Sequence, residues 1–171
     1  MDGAEIPLPG VTRTTSRPNA LRSAAIFGGG AVAIAVGVVV LGLLLPAAAD
    51  HVAPTLRRYP PWVLAGLGLV VMTVEATVFT ILPLQVSQHF LKRLWPGAAA
   101  GFAGYVIGIH WDNGWRGLAV SAWVWGIVTA AYLLERQGSL ARAVGQAVAL
   151  KWAFWALAFA ALSAGGMIPS D

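Results

Sequence analysis

Cysteine is absent from the 171 residues. Disulfides, thiolate-bound metals, iron–sulfur clusters and thiol catalysis are therefore excluded together, and no redox compartment can be read. Charge is scarce as well: 11% of residues are Asp, Glu, Lys or Arg, against ~25% in an ordinary soluble domain. That excludes a water-soluble globular domain. The net charge of +4 comes from 11 Lys and Arg spread along the chain, without the basic run or stripe that nucleic-acid binding requires. Nucleic acid is not a partner. What abounds is apolar surface, 58% of residues with a mean hydropathy of +0.73. At roughly 20 residues per span, the length accommodates about five transmembrane helices and no extramembrane catalytic domain. The expected fold is all-α, a polytopic transmembrane helix bundle whose partners are membrane lipids and other integral membrane proteins.

Residues 1–23 read as an irregular cytoplasmic arm, with Pro7, Pro9 and Pro18 set among Arg13, Arg17 and Arg22. Residues 24–171 read as a single transmembrane bundle. Its first helix is the apolar run Ala24 to Leu45, 22 residues long and too long for the ~7–15-residue core of a secretory signal. The second runs from Trp62 to Leu82, and Pro83 kinks it before an amphipathic extension to Leu94. Gly97 to Ile109, Gly117 to Leu134 and Ala143 to Ala164 complete the five. Basic residues in short loops set orientation. With the N-terminus inside, Arg13, Arg17, Arg22, Lys92, Arg93, Arg136 and Arg142 are cytoplasmic, while Arg57, Arg58 and Arg116 face the other side. The C-terminus is then opposite the N-terminus, and Lys151 is left within a helix, free to snorkel along its stem toward the interface.

Trp62, Trp95, Trp111 and Trp115 fall at helix ends, where an indole anchors at the headgroup level. Trp123, Trp125, Trp152 and Trp155 fall inside spans and read as packing or lipid-facing residues. Gly97, Gly101, Gly104 and Gly108 are spaced four, three and four apart, which aligns them on one helix face and predicts a closely packed neighbour. Gly28 to Gly30, Gly37 and Gly42 form no such stripe, so the first helix has no assigned partner. On this reading Gly104→Leu disrupts the bundle more than Gly37→Leu.

Glu75 is the one carboxylate deep in a span, and intramembrane ionisable groups mark functional sites by default. As a protonated structural group it would accept glutamine in its place. His110 ends the third helix. If the second helix runs to about Lys92, Glu75 and His110 lie roughly 25 and 21 Å from the same end of an antiparallel hairpin, close enough to be neighbours. Gln146 joins them in a residual polar cluster, with Lys151 nearby.

The order of these residues resembles the CAAX-protease and bacteriocin-processing family of intramembrane glutamic proteases, over about residues 62–164. The family's EExxxR motif falls on Glu75-Ala76-Thr77-Val78-Phe79-Thr80, its FxxxH motif on Val106-Ile107-Gly108-Ile109-His110, and its HxxxN motif on Gln146-Ala147-Val148-Ala149-Leu150. Tyr132 to Leu140 resembles the segment that leads into the last motif. The resemblance implies the family fold, with a glutamate that activates water and with oxyanion donors. Of those groups only Glu75 and His110 are present; Ala76, Thr80, Val106, Gln146 and Leu150 replace the others.

The expected function is a non-catalytic integral membrane subunit or scaffold, a pseudoenzyme with neither cofactor nor metal. An active intramembrane endopeptidase using Glu75 and His110 is the alternative from the enzyme class. A tetrapyrrole-binding accessory subunit, ligated by His89 or His110, is a third. A transporter has no inverted repeat to support it.

Overall fold

The computed structural model describes residues 17–45 and 58–165, and with them every residue that belongs to the polar cluster or the glycine stripe. These residues form an all-α helix bundle with no strand among them. Five rods make it up. The first, α1, is Arg17–Leu44. The second, α2, starts as Pro61–Ala76, passes through a π-helical segment Thr77–Ile81, and resumes as Leu82–Leu91. Trp95–Phe102 and a second π segment, Ala103–Ile109, form α3. A 3₁₀ turn at Trp111–Asn113 leads into α4, Gly114–Arg136, and α5 is Leu140–Ala164. Four stretches, Ala20–Leu44, Pro61–Leu91, Trp111–Arg136 and Leu140–Ala164, are long and apolar enough to cross a membrane. The protein is a multi-pass integral membrane protein. Residues 95–109 rise only roughly 22 Å, less than the ~30 Å hydrocarbon core, so α3 is the short member and leans on its neighbours.

The helix starts correct the expected boundaries. Helix α1 begins at Arg17, not Ala24, because a proline in a first turn lacks only an N–H that has no partner there. Residues 17–23, expected in the irregular arm, are therefore helical, and residues 1–16 with Arg13, like Arg57, lie outside the described residues. Helix α1 also has a definite partner, contrary to the expectation from its scattered glycines. It runs antiparallel to α4, and an arginine ties each end. Arg22 donates to the Leu134 carbonyl at 2.9 Å, and Arg116 donates to the Gly42 carbonyl. Both carbonyls belong to last turns, whose acceptors have no partner within their own helix. The core between the rods joins Ile34 of α1, Leu84 of α2, Val124, Val128 and Tyr132 of α4, and Leu150 of α5.

The π segment of α2 follows from Pro83. A proline gives no N–H to the carbonyl four residues earlier, and its ring crowds that oxygen. Here the ladder slips by one residue, so that the Leu82 N–H reaches Thr77 O. The Phe79 carbonyl, left without its usual donor, accepts the Trp125 indole N–H at 3.0 Å. That carbonyl also lies where a side chain on Gly101 would stand, and the Pro83 carbonyl lies where one on Gly97 would stand. The stripe on α3 is thus the seat of α2's kink. Gly104 meets the Phe79 ring, with 3.1 Å to an added Cβ, while Gly108 is near only its own helix.

Two interior tryptophans, Trp123 and Trp155, share one arrangement. The Trp123 indole donates to Ala33 O at 2.9 Å, and its ring occupies the place of a side chain on Gly37. Trp155 donates to Ala65 O at 3.3 Å and covers Gly68 in the same way. A helical carbonyl is shielded by the side chains three and four residues on. Glycine there uncovers the oxygen for a second donor. Trp152, on α5, reaches Leu69 O and Thr73 Oγ1 at 3.2 and 3.0 Å. The four helix-end tryptophans are all exposed, as interface anchors are.

Candidate functional site

The site is assembled where the two π segments face each other. Glu75 precedes the first by two residues, and His110 follows the second directly. Single π turns inside α-helices are frequent at functional positions, since the extra residue turns side chains onto a face that a regular helix would not give them. The Phe79 and Tyr105 rings meet there, with centroids 5.9 Å apart.

Lys151 of α5 lies opposite Glu75. Its Nζ donates to Glu75 Oε2 at 2.8 Å, and the two residues are 1% and 9% exposed. The expected snorkelling does not occur: the lysine points inward and its charge is met inside the bundle. The same ammonium stands 3.7 Å from the centre of the Tyr105 ring, a cation–π contact that gains strength out of water. Tyr105 is 1% exposed. The same ring meets His110 edge to face, at 4.6 Å between centroids.

The imidazole is oriented by Asn113, whose side-chain nitrogen lies 2.8 Å from Nδ1. An amide nitrogen only donates, so Nδ1 accepts, and in the neutral ring the proton is on Nε2. That Nε2 is buried and has no hydrogen-bond partner among the described residues. The hairpin of α2 and α3 thus brings Glu75 and His110 to one level, with Tyr105 between them. Gln146 stands elsewhere. It lies roughly 140° around α5 from Lys151, and its amide donates to Ser23 O of α1 at 2.6 Å.

No protein-family model, curated protein or solved structure matches this chain. The chemistry of the site rests on its own geometry. Among the described residues no group of three or more His, Asp and Glu comes together as a metal site would require. His89 is exposed near the end of α2, against the Phe90 ring. The position of Leu150, last in the HxxxN alignment, is pure packing: fully buried in the core, it lies against Gly30 of α1.

Sequence reasoning passed over Tyr105, although a signal existed. It is the one tyrosine on the glycine-rich helix, five residues before His110. It placed Lys151 near the cluster but also left it free to snorkel. Two opposite charges, each placed in the middle of a span, are best read as partners.

Proposed function

We propose that this chain is a non-catalytic subunit of a membrane complex, with a bundle related to the intramembrane glutamic proteases and with their acidic position turned to structural use. The observation that carries the reading is the Lys151–Glu75 bond inside the bundle. A general base must take a proton from water at a free lone pair. Here the carboxylate oxygen Oε2 is held by a buried ammonium at 2.8 Å and is not free for that task. Gln146 and Leu150, at the positions of the last motif, hold α1 instead of an oxyanion.

The protease reading keeps one specific support, the buried Nε2 of His110 beside Tyr105, unpartnered among the described residues. The two readings separate on a paired replacement. Glu75→Gln together with Lys151→Met removes both charges and keeps volume. Purified in mild detergent, this variant is expected to retain the same stoichiometric partner protein as the wild type, identified by mass spectrometry. A wild type that purifies as a bare monomer, or a membrane-substrate cleavage lost in a folded double variant, would reverse the assignment.

The end of the bundle carrying Arg22, Lys92, Arg93, Arg136 and Arg142 is assigned to the cytoplasm, because cytoplasmic loops hold the excess of Lys and Arg. The absence of cysteine makes the test clean. A single cysteine introduced at Gln137 should react with an impermeant maleimide only after cells are opened, and one at Asn113 before. The opposite pattern refutes the orientation.

A further inference from the structure

At the arginine-bearing end of the bundle, α1 and α5 enclose an open groove of 470 Å³ lined by Ser23, Phe27, Arg142, Gly145, Gln146 and Ala149. Arg142 is in the first turn of α5 and Ala149 lies two turns deeper, so the groove runs from the bundle end into the apolar layer. Its deep part is hydrocarbon. Gly145 leaves open space where a side chain would stand, and Phe27 is exposed along the opposite wall.

Two donors stand at its mouth. Ser23 Oγ is buried without a hydrogen bond among the described residues, and Arg142 lines the same end. An unpartnered hydroxyl can donate to an acceptor supplied from outside the chain. Glu135 approaches Arg142 on one side only, 3.4 Å from Nε, which leaves the terminal amino groups of the guanidinium for a second anion. A planar guanidinium is matched to phosphate.

We propose that this groove holds one anionic phospholipid, with its phosphate on Arg142 and Ser23 and one acyl chain along Phe27, Gly145 and Ala149. Charge argues for the lipid over a partner helix: Arg22 and Arg136 stand at the same end as Arg142, and a basic pocket between helices at such an end recruits anionic headgroups. The bilayer supplies the ligand sideways, since the groove opens on the outer flank of the bundle.

The test is native mass spectrometry of the full chain in micelles doped with equal amounts of phosphatidylglycerol and phosphatidylcholine. One phosphatidylglycerol per chain is expected, favoured about fivefold or more, the worth of one basic residue near the surface. Arg142→Gln should erase the preference, and Arg142→Lys should restore most of it. Gly145→Leu fills the groove and should abolish retention of both lipids while the unfolding temperature is kept. Equal retention of the two lipids by the wild type overturns the proposal. So does retention unchanged by Gly145→Leu, or a dimer that this variant dissociates, which would make the groove a contact between copies of the chain.

Discussion

Lys151→Met is expected to lower the stability of the bundle by about 3–5 kcal/mol, the cost of leaving one member of a buried ion pair without its partner. Glu75→Gln should fall in the same direction, because an amide cannot neutralise the ammonium at 2.8 Å. This differs from the expectation for a protonated glutamic acid, which glutamine would replace without loss. The double replacement should recover most of the stability lost in either single variant, since an uncharged, volume-matched pair is often neutral or better. Unfolding of the three variants in mixed micelles measures the cycle. If the double variant is as unstable as the sum of the singles, Lys151 and Glu75 do not act as a pair. The cycle also has to be read with Tyr105, whose ring loses its cation when Lys151 is replaced.

The second large effect concerns the glycines, which the structure ranks by what stands in front of them. At Gly101 and Gly97 the obstacle is a backbone carbonyl of α2, and backbone cannot rotate aside. Gly101→Leu should therefore abolish folded protein, and even Gly101→Ala should cost about 1–3 kcal/mol, the usual range for overpacking. At Gly37 the obstacle is the Trp123 ring, which is 44% exposed and can swing outward at the expense of its bond to Ala33. Gly104 needs only a small shift of the Phe79 ring. The expected order of damage by leucine is Gly101, then Gly37, then Gly104, with Gly66 and Gly126 as open controls. Fluorescence-detected size exclusion of the five variants gives the ranking, and a Gly104 variant worse than Gly37 would invalidate this account of α1 packing.

The reversal at Gly37 shows what could be read from the chain alone. Apolar runs located the rods within a few residues except at the start of α1, because span length and hydropathy are set by the bilayer. The spacing of four, three and four on α3 is legible because a stripe on one helix is a local property; Gly97 and Gly101 lie against carbonyls of α2, whereas Gly108 faces only its own helix. A single glycine under a tryptophan of another helix is not local. Gly37 and Trp123 are paired only by the register between α1 and α4, which Arg22 and Arg116 fix from the two ends. The hairpin arithmetic placed Glu75 and His110 at one level because both sit on helices joined by one short turn. Gln146 escaped it: its depth on α5 was legible, its direction around the helix was not, and Ser23 rather than the acid is what it meets.

The bond between Glu75 and Lys151 also sets a clock for biogenesis. The two residues are 76 positions apart in the chain, which at about 5–20 residues per second is roughly 4–15 s of synthesis. Throughout that interval the growing polypeptide carries an acid in its second membrane helix and no counter-ion for it. Only the arrival of α5 supplies it, so this ion pair cannot lock the interior before α5 has been made.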